Sequence, residues 1–169
     1  MKSKLKLSKA TVLTFYLLTF VVTVCYSQQL DTKVEDNIKM YNSVWNEILN
    51  KRKLDMFNDS NFSQTVIIHA SPTDVVGIDS ARAYYANYLT GFTEISFTIK
   101  DVFGMDDKLV KHWNFKGNHT GVFFGIPATG KKVDIDGVTL VRMENGKIAE
   151  ERDFVDNLEF MQQLGLIAR

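Results

Sequence analysis

After Gly91 the hydrophobic residues begin to alternate with polar ones, and this change of spacing constrains the fold more than any other feature of the chain. Ile95, Phe97 and Ile99 occupy every second position, the pattern of a strand with one buried face. Further strand-like segments follow, separated by short glycine-containing breaks: Leu109–Lys116, Asn118–Phe124, Lys132–Met143 and Lys147–Val155. Because strands joined by short turns pair antiparallel, this half of the chain predicts an antiparallel sheet.

Three other segments have the spacing of amphipathic helices. The first begins at the capping-box pair Thr32 and Glu35 and extends toward Lys53. A strand over Thr65–His69 separates it from a second helix between Gly77 and Gly91, and a short third helix starts after Asp156. This order predicts an α+β fold in which helices close one face of a curved antiparallel sheet.

The N-terminus has the composition of an export signal. Its first nine residues contain four lysines and no acidic residue, and they precede the apolar run Thr11–Val24. That run of about 14 residues is shorter than the roughly 20 that a membrane-spanning helix needs. We therefore predict cleavage after Ser27, which leaves residues 28–169 as a secreted or periplasmic domain without a permanent membrane anchor. The alternative is a lipoprotein attached through Cys25, the only cysteine.

Removal of residues 1–27 makes the protein mildly acidic. Four of the twenty Lys and Arg residues are lost and none of the twenty Asp and Glu residues, so sixteen positive charges face twenty negative ones and the net charge is −4. A negative surface disfavours binding to nucleic acid. Roughly 140 residues suffice for one hydrophobic core without disulfides. We expect a single domain and no nucleic-acid partner.

Several segments, taken in order, resemble the SnoaL-like polyketide cyclases, or ester cyclases, of the nuclear-transport-factor-2-like superfamily. They are His69 after its strand, Gly117–Gly121, Gly125–Lys131, Gly146–Ile148, Asp153–Asp156 and Gln163–Gly165. The resemblance implies a cone-shaped sheet closed by helices, also described as a cystatin-like α+β roll, with a hydrophobic pocket inside and a homodimer formed through the exposed sheet face. This superfamily contains isomerases, dehydratases, hydrolases, cyclases and binding modules, so the fold alone does not determine an activity.

The resemblance implies an acid/base role for an aspartate on the last strand, and the matching residue is Asp153. In the polyketide cyclases this carboxylate promotes an intramolecular aldol closure. If Glu144–Gly146 is a three-residue turn, Gly137 faces Asp153, which then lies on the apolar side of the strand with Val133. A two-residue turn instead puts Asp153 beside Val138 and opposite Thr139, and a bulge at Gly137 would change the side again. A carboxylate among apolar groups exchanges protons near neutral pH, which favours the inward position.

Other residues complete the predicted site. Asp156 is the competing carboxylate, although its position three residues ahead of Glu159 is typical of a helix N-cap. His119, in a Gly-Asn-His-Thr-Gly segment, is predicted to assist Asp153 by shuttling a proton, the alternative being a structural histidine bonded to a backbone carbonyl. The predicted substrate-binding residues are Trp113, Phe115, Thr139, Tyr84 and His69.

The chain also departs from the pattern of characterised cyclases. Thr139 stands where those enzymes have a pocket histidine, and Glu151-Arg152 replaces a more usual His-Trp before the aspartate. Arg152 would keep a nearby carboxylate ionised if the two formed an ion pair.

Neither a metal nor a cofactor is expected. The histidine spacings of 43 and 7 residues match no zinc or facial-triad signature, and the chain has no phosphate-binding glycine loop or dinucleotide fingerprint. Two functions remain open. One is an exported cyclase, isomerase or hydrolase that moves a proton of an apolar carbonyl compound, and the other is an exported module that binds a hydrophobic metabolite without converting it.

Overall fold

The structure, a computed structural model, describes residues 32–168, so the predicted signal peptide over residues 1–27 lies outside the described residues. Helix α1 occupies residues 32–45 and continues as a π-helical turn over Asn46–Asn50. Helix α2 spans Ile78–Gly91 and the short helix α3 spans Asn157–Gln163. Between residues 32 and 168, every helix is too short or too polar to cross a membrane.

Six strands form one curved sheet in the order β2-β1-β6-β5-β4-β3. The strands are β1 Phe62–His69, β2 Val75–Val76, β3 Phe92–Met105, β4 Lys108–His119, β5 Lys132–Glu144 and β6 Lys147–Val155. Neighbouring strands are antiparallel except β1 and β6, which run parallel. The predicted α+β fold is confirmed, but the sheet is mixed, because β1 reaches β6 through a long connection and not through a reversing turn.

Strand β4 runs without interruption through Gly117, where the sequence predicted a break between two strands. Gly117 pairs with Val133, and a Cβ atom at this position would lie 3.2 Å from the Phe92 side chain. Glycine is therefore required at this position for close packing against Phe92 and not for a turn. The strand ends at His119, and residues 120–131 form a loop, so the strand predicted up to Phe124 is wrong.

One face of the sheet carries the core. Every second residue of β5 from Val133 to Met143 is buried, and the residues between them are exposed or half-buried. Helices α1 and α2 cover this inner face, where the rings of Trp45 and Tyr85 meet with centroids 4.7 Å apart. The curvature of the sheet leaves space between the helices and the strands near β6.

Candidate functional site

A cavity of about 450 Å³ lies between the inner face of the sheet and the helices. This volume falls within the range of about 300–1,000 Å³ that is usual for small-molecule sites. Its interior is lined mainly by buried apolar and aromatic residues: Trp45, Leu49, Tyr85, Phe97, Trp113, Phe115 and Ile135. Exposed residues form its mouth: Ser71, Asp74, Arg152, Asp153 and Asn157.

Asp153 lies at the mouth of the cavity on β6, directly opposite Thr139 of β5. Its carboxylate accepts a hydrogen bond from the Thr139 hydroxyl at 2.5 Å, and that hydroxyl accepts one from the Trp113 indole N–H at 2.9 Å. Thr139 and Trp113 are buried, whereas Asp153 is exposed. A chain of two hydrogen bonds thus orients an accessible carboxylate from inside the core.

Asp153 lies on the side of β6 that faces the cavity, but it pairs with Thr139 and not with Gly137. Asn145 and Gly146 form a two-residue turn, not a three-residue one, and a bulge beside that turn shifts the register of β6. The bulge places Asp153 opposite Thr139 instead of Gly137. The expectation that Asp153 is buried among apolar groups is not met, because the side chain sits at the opening.

The carboxyl group that the fold buries is that of Glu151. Only 1% of this residue is exposed, and its Oε1 accepts hydrogen bonds from the Tyr41 hydroxyl and from the Trp45 indole N–H, the latter at 3.1 Å. Burial raises the pKa of Glu151 to about 7, although the positive charge of Lys111 acts in the opposite direction. The raised pKa that the sequence predicted for Asp153 therefore belongs to Glu151.

Lys111 places a cation in the deep part of the cavity. The residue is 3% exposed, and its Nζ lies 4.6 Å from the ring centroid of Trp45 and 5.0 Å from that of Tyr41. Burial lowers the pKa of Lys111, while the charges of Glu151 and Asp153 raise it. Lys111 pairs with Thr139, which pairs with Asp153, so one row across three strands joins the deep cation to the carboxylate at the mouth.

The structure brings most of the predicted binding residues together. The cavity lining includes Trp113, Phe115, Tyr84 and His69. Thr139 donates a hydrogen bond to Asp153, which also lines the cavity. Both ring nitrogens of His69 approach carboxylate oxygens, with Nδ1 at 3.1 Å from Asp74 and Nε2 at 2.6 Å from Glu150. Burial raises the pKa of Tyr84, which therefore stays a neutral hydroxyl at the cavity wall.

His119 lies apart from the cavity lining. It is fully buried, its Nδ1 is 3.0 Å from the Thr129 hydroxyl, and its ring centroid is 5.2 Å from that of Phe92. Burial lowers the pKa of His119. The structure therefore does not bring His119 to Asp153, with which the sequence had paired it.

Asp156 and Arg152 also have defined places. Asp156 caps α3, because its side chain accepts a hydrogen bond from the backbone N–H of Glu159 at 3.0 Å. Within residues 32–168, Arg152 forms no ion pair with Asp153. In the same range, His, Asp and Glu residues form no group of three or more that could hold a metal ion.

The family model of the SnoaL-like polyketide cyclases matches residues 36–164, which is most of the chain. The chain belongs to this family. The resemblance seen in the sequence is thereby confirmed. Among curated relatives of this SnoaL-like chain, the aklanonic acid methyl ester cyclase DnrD of Streptomyces peucetius is 41% identical over 49 residues, which cover 29% of this chain and 34% of that enzyme. The chain thus aligns with about a third of the length of this relative.

Solved structures show the same SnoaL-like fold. A SnoaL-like protein from Jannaschia sp. CCS1 has a TM-score of 0.72 and 24% identity, over 79% of this chain and 94% of that one. TsrD from Streptomyces laurentii has a TM-score of 0.70 and 22% identity, over 78% of this chain and 96% of that one. At this level of identity the similarity establishes the fold and not the activity.

Sequence reasoning missed the deep part of this SnoaL-like site. Lys111 was not singled out, and Glu151 was noted only as a departure from the pattern of characterised cyclases. The signal for Lys111 was present, because it occupies the alternating apolar row of β4 between Leu109 and Trp113. A charged residue in such a row either finds a partner or faces a cavity.

Proposed function

We propose that this SnoaL-like protein is an exported enzyme that binds a small apolar carbonyl compound and uses Asp153 as its acid/base. The observation that supports the proposal is the exposed carboxylate of Asp153, oriented by Thr139 at the mouth of an aromatic cavity. Aromatic walls favour the transfer of an apolar compound out of water. A fixed carboxylate beside the compound can then remove a proton from the carbon next to the carbonyl group.

The reaction class that we propose is an intramolecular aldol closure. Asp153 takes a proton from carbon, the resulting enolate carbon attacks a second carbonyl group of the same molecule, and Asp153 returns the proton to the new alkoxide. The name of the relative DnrD, an aklanonic acid methyl ester cyclase, supports a cyclisation. His119 has no part in this proposal because its ring lies outside the cavity lining.

A second candidate function is binding without conversion. It is favoured by Thr139, since the partner of Asp153 is a hydroxyl group at a place where characterised cyclases have a histidine. A hydroxyl group orients the carboxylate but cannot exchange a proton with it at neutral pH. In this case the aromatic cavity retains a hydrophobic metabolite, and Asp153 contributes only a polar contact at the opening.

The test begins with the compound that co-purifies with the mature protein, identified by native mass spectrometry. Conversion of this compound is then measured for the unaltered protein, for Asp153→Asn and for the control Asp136→Asn, whose carboxylate lies exposed on the outer face and pairs with Lys100. We expect conversion by the unaltered protein and the control but not by Asp153→Asn, with unchanged melting temperatures. Conversion by Asp153→Asn would disprove the assignment.

The same samples decide between the two functions. If the compound raises the melting temperature of all three proteins and none converts it, the binding function is correct and the enzymatic one is wrong. If it stabilises all three and only Asp153→Asn fails to convert it, the acid/base role is correct.

We further propose that export proceeds through cleavage after Ser27. Terminal sequencing of the protein recovered from its native cell should then give Gln28 as the first residue. A chain that begins with a lipid-modified Cys25 would support the lipoprotein alternative instead, and Cys25→Ala would in that case abolish membrane attachment.

A homodimer through the outer sheet face is also part of the proposal. This face exposes apolar side chains in adjacent rows, with Leu140 at 47% and Phe154 at 53% exposure. Burying them against a second copy would remove apolar surface from water. Light scattering should show a dimer that Leu140→Lys converts to a monomer, and a monomeric unaltered protein would rule this assembly out.

A further inference from the structure

Lys111 is a buried amine that the proposed acid/base reaction does not use. It lies on the inner row of β4 and lines the cavity, although only 3% of the residue is exposed to bulk solvent. Lysine is seldom buried in this way, because an ammonium group loses its hydration and needs compensating partners. The groups around the Lys111 Nζ atom therefore indicate which reactions this amine can undergo.

Those contacts are mainly aromatic. Nζ lies over the rings of Trp45, Tyr41 and Phe97, at 4.6, 5.0 and 5.3 Å from their centroids. Within residues 32–168, no acceptor lies within hydrogen-bonding or ion-pairing distance of this Nζ. Burial lowers the pKa of Lys111 and so increases the fraction of uncharged amine. An uncharged amine beside an apolar cavity is a nucleophile.

A buried carboxyl group lies behind the same aromatic residues. Tyr41 and Trp45, whose rings lie under Nζ, both donate hydrogen bonds to Oε1 of Glu151. The other oxygen, Oε2, is buried and has no hydrogen-bond partner in the described chain. This oxygen is therefore free to carry the proton of the carboxylic acid form. The lining of the cavity includes Lys111 but not Glu151, so of these two groups the amine is the one that a ligand in the cavity meets.

We propose that Lys111 captures an aldehyde or ketone in the cavity as a Schiff base. The geometry that supports this is an amine that lines the cavity and is enclosed by aromatic rings, with no acceptor in the described chain within hydrogen-bonding distance. Amines in such surroundings are the ones that react with carbonyl groups. The ligand class is an apolar carbonyl compound small enough for the cavity.

The chemistry balances without an oxidant or reductant. The uncharged amine of Lys111 adds to the carbonyl carbon, forming a C–N bond while one electron pair of the C=O bond moves to oxygen. One proton passes from nitrogen to that oxygen, which gives a carbinolamine. The hydroxyl group takes up a second proton from the solvent and leaves as water, and the nitrogen lone pair forms the C=N bond. The products are a protonated Schiff base and water.

This proposal does not depend on proton transfer by Asp153. Capture by Lys111 forms a covalent bond to the carbonyl carbon deep in the cavity, whereas Asp153 acts on a C–H bond at the mouth. Asp153→Asn should therefore still form the adduct at Lys111, so that the failure of one proposal can be told from the failure of the other.

The experiment treats the mature protein with 2-naphthaldehyde and sodium cyanoborohydride, which reduces a Schiff base to a stable secondary amine. Peptide mass mapping then identifies the modified lysine. Because burial lowers the pKa of Lys111 and so increases the fraction of uncharged amine, we expect Lys111 to be modified before any exposed lysine. 2-Methylnaphthalene, which has no carbonyl group, should slow the reaction at Lys111 by occupying the cavity.

Two variants serve as matched controls. Lys111→Met removes the amine and keeps an unbranched chain, whereas Lys108→Met removes an exposed lysine of the same strand. We expect the fast phase to disappear only in Lys111→Met. Because peptide mass mapping identifies the modified lysine directly in the unaltered protein, the result does not depend on how well Lys111→Met folds. Modification confined to exposed lysines, with Lys111 untouched, would overturn the proposal.

Discussion

Thr139 donates its hydroxyl hydrogen to the carboxylate of Asp153 directly across the β5–β6 pair, at a distance of 2.5 Å. The same hydroxyl accepts the indole N–H of Trp113 at 2.9 Å. A single fully buried side chain thus accepts the hydrogen bond of a core tryptophan and orients the carboxylate at the cavity mouth. Stability and the position of the proposed acid/base group depend on the same oxygen atom.

Replacing Thr139 by valine should lower the free energy of unfolding by about 1–3 kcal/mol, because the buried Trp113 N–H then lacks an acceptor. Urea unfolding measures this change. Thr139→Ser, which keeps the hydroxyl group, is the control and should lose less. Equal stability of the two variants would show that the hydroxyl group does not hold this position.

The buried carboxyl of Glu151 should make stability depend on pH. Its pKa is about 7 in the folded chain and near 4.5 for an ordinary glutamate, so between these values the folded state keeps a proton that the unfolded state has lost. The stabilisation that this bound proton gives to the folded state is complete below pH 4.5 and is lost as the pH rises through 7. The loss is about 3 kcal/mol at most, from the size of the pKa difference.

Glu151→Gln carries no titrating group and mimics the protonated acid. The free energy of unfolding of the unaltered protein, relative to this variant, should fall between pH 5 and pH 7.5. Parallel curves for the two proteins over this range would mean that Glu151 does not keep its proton in the folded state.

Asp156→Ala should cost about 1 kcal/mol of stability through the loss of the α3 N-cap. Conversion of the bound compound should remain within about twofold of the unaltered rate, because the carboxylate of Asp156 does not line the cavity. Asp156→Asn, which can still cap the helix, is the control for stability. A loss of turnover in both variants would make Asp156 the key carboxylate in place of Asp153.

Gly137→Ala should distort the cavity wall. A Cβ atom at this position would lie 2.7 Å from Cε2 and from Cη2 of Trp113, so the ring must move. Overpacking of this kind costs about 1–3 kcal/mol, and it should also weaken ligand binding measured by thermal shift. Adding Trp113→Phe makes room, so the double variant should be more stable than the sum of the two single effects predicts.

The helices and most strands could be predicted from the sequence, because the spacing of apolar residues determines which side of an element is buried. The error at Gly117 arose because a glycine that is required for packing against Phe92 looks the same in the sequence as one that makes a turn. The parallel pairing of β1 with β6 could not be predicted, since no local turn connects the two strands.

The candidate site was predicted only in part. The inward side of Asp153 followed from alternation, but the register depended on a bulge that the sequence does not encode locally. Lys111 and Glu151 are separated by forty positions in the chain and contact the same Tyr41 and Trp45 side chains only after α1, β4 and β6 have packed together. Such a juxtaposition is a tertiary property, so single-strand patterns could not reveal it.

The most direct test of the acid/base role is hydrogen exchange at the carbon next to the carbonyl group of the bound compound. The complex is incubated in D2O, and deuterium incorporation is followed by mass spectrometry for the unaltered protein and for Asp153→Asn. We predict exchange that is slowed about 100-fold or more in the variant, the usual contribution of a general base. Exchange at the same rate in both proteins would contradict the account.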